Sequence, residues 1–314
     1  MNKVCFIIPF FGPSKWWHTY FFKSIATNNN YLWLIIADQI NDKSIPANAR
    51  LVSMSLQEFN QFVSSKIKIS TNIIHPFKIC DFKPAFGQIF SDYLKDYDYW
   101  AYCDMDIIMG DLDSFLANVL HSGYDVISPD NVFFPGHFLI LKNCKKMNML
   151  YTKAVNHIPV FTSEKCYFFD EFVYSQGLKL TNGSIKKFSS RKILLHKIRM
   201  RIADFFIIKW LSQHIKSRWI RKKYIKVKLY DYNALLRFFE ERNEIRIYRK
   251  LIYDSDVTRI RKGQKKWKVR WQNGKLYNED HEILYFHFQH SKFKDTLEIV
   301  ESIEEYDYFE LKNK

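Results

Sequence analysis

The stretch Tyr97-Asp98-Tyr99-Trp100-Ala101-Tyr102-Cys103-Asp104-Met105-Asp106 decides how this chain is read. Its aromatic-rich first part has the composition of a strand buried in a sheet. It closes on two carboxylates. On an extended backbone, residues i and i+2 project from the same side. Asp104 and Asp106 therefore offer hard oxygen ligands of the kind that Mg²⁺ or Mn²⁺ takes when it carries a diphosphate. Asp-x-Asp by itself is common, and such acids often just cap a helix or sit in water. The buried strand in front and the apolar run Ile107-Ile108-Met109-Gly110 behind give this one weight.

Outward from that stretch, strand and helix signals alternate. Residues 4–10 read as a strand stopped by Gly12-Pro13, and 16–27 as a helix ended by Asn28-Asn29-Asn30. Residues 32–37 form a second buried strand ending in Asp38. Ser55-Leu56-Gln57-Glu58 is a capping box before a short helix. Pro84 suits the first turn of a helix reaching about residue 95, and Asp113 and Ser114 suit the cap of a helix over 115–120. Strands follow at 125–128 and 138–141. The alternation predicts an α/β fold with a mostly parallel sheet flanked by helices. Ligands of such sheets sit outside the carboxyl ends of strands, where Asp38 and Asp104 lie. Further on, 186–245 reads as mainly helical. Asn273-Gly274 between alternating residues marks a β-hairpin. A strand over 283–288 and a last helix from 293 to about 304 complete the chain.

Composition sets limits. The chain has 314 residues, 47% hydrophobic and 18% aromatic, with few glycines and prolines, so it can bury a real core. Five scattered cysteines without a Cys-x-x-Cys argue against a zinc site or disulfide frame and fit a reducing compartment. The apolar run at 4–9 is too short for a signal peptide and lacks a cleavage site. No window reaches the about 20 apolar residues of a membrane span. The expected location is cytoplasmic, or peripheral on the inner face of the cell membrane.

Four blocks carry a resemblance: Ile8-Pro9-Phe10-Phe11-Gly12, Asp81-Phe82-Lys83-Pro84-Ala85-Phe86-Gly87, Tyr102-Cys103-Asp104-Met105-Asp106 and Tyr285-Phe286-His287-Phe288-Gln289. Together they resemble bacterial glycosyltransferases of the GT-A fold, nearest to poorly characterised members linked to surface polysaccharide synthesis. The likeness covers roughly 1–180 and 265–294, segment by segment. It implies a GT-A-like (Rossmann-like) core over 1–185 that binds a nucleotide-sugar. It also implies that Asp104 and Asp106 hold Mn²⁺ or Mg²⁺ against the donor diphosphate. In several such families a C-terminal His completes the metal site; His287 stands where one is expected, and imidazole suits Mn²⁺ beside carboxylates. In similar enzymes an acid at the position of Asp38 contacts the nucleobase or ribose.

Other candidates come from the residues themselves, each with a plainer reading beside it. Asp81 and Lys83 precede a helix start, a natural place for anions, so both are candidates for binding the donor; they also fit a cap and a salt-bridge partner. Lys292 can reach a phosphate, or be a solvated helix-start residue. Asp170 or Glu171 can act as the base that deprotonates an acceptor hydroxyl, or both can simply oppose a helix dipole. His137, after Pro135-Gly136, lines an acceptor site or is a turn histidine.

Charge is uneven. Residues 186–228 hold fifteen Lys or Arg and one acid, Asp204, which is nearly all of the chain's net +15. An apolar stripe runs through Leu194, Ile198, Ile202, Phe205, Ile208, Leu211, Ile215 and Trp219. A basic amphipathic helix with aromatics reads as an anionic-membrane element; a helical subdomain with a solvated basic face is the alternative. Without an RNA- or DNA-binding signature, no nucleic-acid partner is expected.

These readings predict a metal-dependent glycosyltransferase. It has a core over 1–185, a basic helical insertion over 186–245, and a C-terminal hairpin plus helix over 246–314 that returns to the active site. The donor would be a nucleotide-sugar, a UDP-sugar first, and the acceptor a cell-surface glycan or a lipid-linked acceptor. An Asp-x-Asp phosphatase is the alternative enzyme, though Ile107-Ile108 lacks the expected threonine. A non-enzymatic peripheral membrane-binding protein is the alternative outside enzymes.

Overall fold

The computed structural model describes residues 2–130, 134–154, 156–171, 178–181, 184–187, 232–249, 253–255, 268–279, 281–288, 297–301 and 308–313. Lys292, Gln289, His290 and nearly all of the basic segment lie outside the described residues. The chain gathers into two compact units. The first is built from Met1–Phe59, Phe90–Met147 and Arg246–Lys314, the second from Asn60–Ile89 and Asn148–Ile245.

The first unit is organised by a seven-stranded sheet. Its strands are β1 (Val4–Phe10), β2 (Tyr31–Ala37), β3 (Ala49–Ser53), β4 (Tyr99–Cys103), β6 (Val126–Ser128), β7 (Phe138–Lys142) and β10 (Ile247–Arg249), with β5 (Ile107–Met109) in a separate sheet. The order is β10-β6-β7-β4-β1-β2-β3. All neighbours are parallel except β7, which runs antiparallel to both β4 and β6. The expected α/β class with a mostly parallel sheet is what the chain forms. β1 and β4 are adjacent, yet the chain leaves β1 for β2 and β3 on one side and returns to β4 on the other. That is a topological switch point, with the carboxyl ends of β1 and β4 side by side.

Helices α1 (Trp16–Ala26) and α4 (Leu112–His121) belong to this unit, and α2 (Leu56–Ile67) begins in it. The capping box of α2 forms as read: Ser55 N–H donates to Glu58 Oε2 at 2.7 Å, and Glu58 N–H to Ser55 Oγ at 3.2 Å. The cap of α4 differs from the expectation. Asp111, not Asp113 or Ser114, is the N-cap, and its Oδ1 accepts the N–H groups of those two residues. The core stacks Phe6 on Trp33 at 4.3 Å between ring centroids, and Phe138 on Tyr285 at 4.9 Å.

His18 is the third residue of α1 and is buried. Its Nδ1 accepts the N–H of Lys15, which places the ring proton on Nε2. Burial first, then the positive charge of Lys15, pull its pKa down to about 4, against the opposing pull of Asp106. An unfolded histidine titrates near 6.5, so the folded chain binds fewer protons below that pH. The resulting stability is complete above about pH 6.5 and drains away as pH falls towards 4, by up to roughly 3 kcal/mol. Urea denaturation at pH 7 and pH 4.5 should show this loss in the wild type and a smaller one in His18→Phe.

The C-terminal part of the first unit holds strands and no helix among the described residues. β12 (Lys268–Gln272) and β13 (Lys275–Asn278) form the expected hairpin around Asn273-Gly274. With β14 (His281–Ile283), β16 (Leu297–Glu301) and β17 (Tyr308–Asn313) they make a five-stranded antiparallel sheet. The expected helix from 293 to about 304 is corrected by β16. Ile299 and Val300 are β-branched, and β16 pairs with β17 along its whole length. The expected strand over 283–288 divides into β14 and β15 (Tyr285–His287), which pairs with β5 and β11 (Asp254–Ser255).

The second unit holds α3 (Phe86–Ile89), α6 (His157–Thr162), the hairpin β8 (Leu178–Thr181) with β9 (Ser184–Lys187), and α7 (Tyr232–Glu241). The helix α5 (Lys145–Asn148) ends where this unit resumes. The long helix expected from Pro84 is instead a 3-10 stretch over Pro76–Ala85 followed by the single turn of α3. No helix among the described residues is long and apolar enough to cross a membrane.

Candidate functional site

The cluster at the end of β4 is assembled from three separate pieces of chain. Asp104, Met105 and Asp106 form the bend between β4 and β5 rather than a continuous strand. The bend, not the pleat, brings the two carboxylates round, and Met105 between them is buried in the core. β15 lies antiparallel to β5 with His287 opposite Ile107, which sets the imidazole beside Asp106. The result is a set of ligand atoms from Asp104, Asp106 and His287 all within 4.8 Å of one another. His287 Nε2 lies 3.4 Å from Asp106 Oδ1. Asp106 and His287 are about 5% exposed, while Asp104 opens further to solvent.

Backbone bonds lock this arrangement. Asp104 N–H donates to His137 O at 3.1 Å, and Phe288 N–H to Asp106 O at 3.1 Å. The pairing of Cys103 with Phe138 brings His137 level with Asp104. Its ring stacks on His287 at 4.2 Å and 30° and shares a hydrogen bond of 3.0 Å with the Tyr285 hydroxyl. Burial raises Tyr285 well above the usual phenol range, so that hydroxyl keeps its proton. His137 thus backs the cluster, and its position beside Pro135-Gly136 was the only sign of it in the sequence. Two carboxylates and one imidazole, with one carboxylate open to solvent, fit a hard or borderline divalent cation such as Mg²⁺ or Mn²⁺.

Asp38 ends β2 as expected, and its Oδ1 accepts the N–H of Gly12 at 2.8 Å. Gly12 has φ +120, a conformation that side-chain-bearing residues rarely adopt. Asp38 therefore shapes the turn after β1 next to the switch point. Beyond that turn, Trp16 is 40% exposed and stacks on Phe288 at 5.8 Å and 17°. This aromatic face sits one residue from His287 and had no distinct signal in the sequence.

In the second unit, Lys83 and Asp170 come together, with Nζ 3.9 Å from Oδ2 and both side chains largely buried. Glu171 beside them is half-buried, and its N–H donates to Phe168 O at 3.0 Å. Asp81 departs from the expectation of a donor-facing acid. It is fully buried, and its carboxylate accepts Lys78 Nζ at 2.8 Å and the N–H groups of Tyr167 and Phe169 at about 3 Å. Lys78, the partner that makes this possible, stands at the i, i+3 spacing that eclipses side chains in a 3-10 turn.

Fold and cluster define an α/β protein with a carboxylate–imidazole candidate metal centre at the switch point of a mostly parallel sheet. The chain belongs to the family described as "Family of unknown function (DUF6625)", which it matches over residues 6–311. Among curated proteins none matches. Solved structures similar to it include galactosyltransferase LgtC in complex with donor and acceptor sugar analogues, at 11% identity and a TM-score of 0.30, covering 51% of this chain and 64% of that one. An active-site mutant of LgtC is similar at 8% identity and a TM-score of 0.37, covering 92% and 87%. The apo glycosyltransferase GlyE of Streptococcus pneumoniae TIGR4 is similar at 16% identity and a TM-score of 0.28, covering 47% and 35%. The chain thus spans less than two thirds of the LgtC complex chain and about a third of GlyE. Likenesses this distant assign no activity to it.

Proposed function

We propose that this chain is a metal-dependent glycosyltransferase. It would move a sugar from a nucleotide-sugar, a UDP-sugar first, to a cell-surface glycan or lipid-linked acceptor. The observation that carries the reading is the convergence of Asp104, Asp106 and His287 at the carboxyl end of β4. A divalent ion held there supplies charge neutralisation to a departing nucleoside diphosphate, which stabilises the transition state more than the ground state. Asp104 and Asp106 would hold that ion through oxygen and His287 through Nε2. Asp38, whose Oδ1 accepts the Gly12 N–H, would contact the nucleobase or ribose of the donor. The Trp16 face offers a flat apolar surface to a sugar ring. Asp170 or Glu171 would take the proton of the acceptor hydroxyl, with Lys83 supplying a positive charge to a phosphate or to Asp170 itself.

The experiment is a thermal-shift screen of UDP-sugars with and without Mn²⁺, followed by hydrolysis assays on those that bind. The expected result is stabilisation that needs both components and slow release of UDP. Cleavage of p-nitrophenyl phosphate without any UDP-sugar response would move the assignment to a phosphatase. Neither response would leave the non-enzymatic reading.

A membrane partner is the finer part of the proposal, favoured by how charge divides. The second unit carries 24 Lys or Arg against 9 Asp or Glu, and the first carries 24 of each, so the whole net +15 belongs to one unit. Each basic residue near an anionic leaflet contributes about 1 kcal/mol. Flotation with phosphatidylglycerol vesicles should recover the protein at low salt and release it at high salt. Failure to float at any salt concentration removes the membrane from the reading.

A further inference from the structure

Among the described residues of the second unit, Lys78 is a buried cation that the proposed chemistry does not use. Lys78 is fully buried, and its ammonium donates to Asp81 Oδ2 at 2.8 Å, Val160 O at 2.6 Å and Lys165 O at 2.7 Å. Asp81 is equally buried and accepts from the N–H groups of Tyr167 and Phe169. The cation thus takes carbonyls at 160 and 165, and the anion takes amides at 167 and 169. Between those two amides Phe168 has φ +55, a left-handed conformation that a bulky residue adopts only when its surroundings impose it. The next residue after this segment is Asp170, whose carboxylate lies beside Lys83. Lys78, Asp81 and Lys83 all come from the same 3-10 stretch, so the element that carries Lys83 also holds the segment that presents Asp170.

We propose that the buried Lys78–Asp81 pair is a positioning device: it holds residues 165–169 with Phe168 in its left-handed conformation and so fixes Asp170 against Lys83. The inference rests on the reading that Asp170 takes part in transfer. A plain stability role does not explain the geometry well. Buried ion pairs contribute little net stability against apolar replacements of similar volume, whereas fixed carbonyl and amide partners specify one backbone path. Burial pushes Asp81 up and Lys78 down, while each charge favours the ionised form of the other. Removing one partner alone would therefore strand a buried charge, so the informative variant changes both.

The test uses the full chain carrying Lys78→Met with Asp81→Leu, which leaves no acceptor for the 167 and 169 amides, with and without Phe168→Gly, alongside Asp170→Asn. Hydrogen exchange at the Tyr167 and Phe169 amides is read together with Mn²⁺-dependent UDP-galactose and UDP-glucose hydrolysis. In the double variant, exchange at these two amides should rise at least about tenfold relative to the amides of α6. kcat should fall on the order of 100-fold with donor KM within about twofold of wild type. Adding Phe168→Gly should restore kcat about fivefold, because glycine adopts a left-handed conformation without penalty. The gain in kcat should come without a matching rise in melting temperature, which separates positioning from a general recovery of stability. Unchanged exchange at 167 and 169, or lost activity that Phe168→Gly does not improve, overturns the positioning role. Full turnover by Asp170→Asn instead overturns the reading of Asp170, and the exchange result then still decides whether the pair holds the segment. If neither sugar nucleotide is hydrolysed, exchange alone decides in the same way.

Discussion

Asp104→Asn or Asp106→Asn is expected to abolish the proposed Mn²⁺-dependent turnover while leaving the metal-free fold intact. Each change keeps the side-chain shape and removes one negative charge from a cluster of two carboxylates and one imidazole. The backbone bonds that hold the bend, Asp104 N–H to His137 O and Phe288 N–H to Asp106 O, do not depend on either carboxylate. The ion, in contrast, loses the charge that offsets its dehydration. At a hundredfold excess over Kd a bound ion stabilises the wild type by about 2.7 kcal/mol. The variants should lose that increment, so their melting temperatures with and without Mn²⁺ should coincide. A Mn²⁺-dependent shift equal to wild type in both variants places the metal elsewhere and ends the assignment.

The second large effect is structural and lies outside the metal ligands. Gly110→Ala is expected to destabilise the protein by about 3 kcal/mol. A Cβ at this position would lie 2.6 Å from the carbonyl oxygen of Ile283 and 3.1 Å from Leu276 Cβ. Neither side can yield easily. Gly110 N–H donates to Leu284 O at 2.7 Å, and Asn28 Nδ2 donates to Gly110 O at 3.0 Å. The atoms that must move belong to Leu276 in β13 and to Ile283 in β14, and β14 leads through Leu284 into β15, which carries His287. Gly110→Ala should therefore lower the metal-free melting temperature by on the order of 5 °C and also weaken Mn²⁺ binding. Calorimetry and Mn²⁺ titration on the same samples check both. An unchanged melting temperature would mean that β14 is free to shift away from β5.

Much of the fold could be read from local signals. The central strands announced themselves by long apolar runs, the α2 start by Ser55 and Glu58, and the hairpin by Asn273-Gly274. The errors share a cause. The stretch from Pro76 is 3-10 and carries the buried Lys78–Asp81 pair, whose other partners at Val160, Tyr167 and Phe169 lie far along the chain where periodicity does not reach. The last helix became β16 because β17, itself paired with the earlier strand β12, offered an edge to pair with. Asp104 and Asp38 could be found because they follow apolar strands, and Asp106 because it stands two residues on from Asp104. His18 and Trp16 gave no signal, and His137 only the choice between an acceptor-site and a turn residue, since their meaning depends on residues far away in the chain.

The sequence by itself determined the α/β class, the carboxylate pair, the strand-end positions of Asp38 and Asp104, and a concentration of positive charge in one segment. These follow from composition and short-range spacing, which act within a few residues. Tertiary structure decided that His287 stands 3.4 Å from Asp106, that Asp170 faces Lys83, and that Asp81 points inward to hold backbone amides rather than outward to a ligand. Those outcomes depend on strand register and on the pairing of buried charges. Both are fixed by contacts between residues tens to hundreds of positions apart, and no local pattern encodes them.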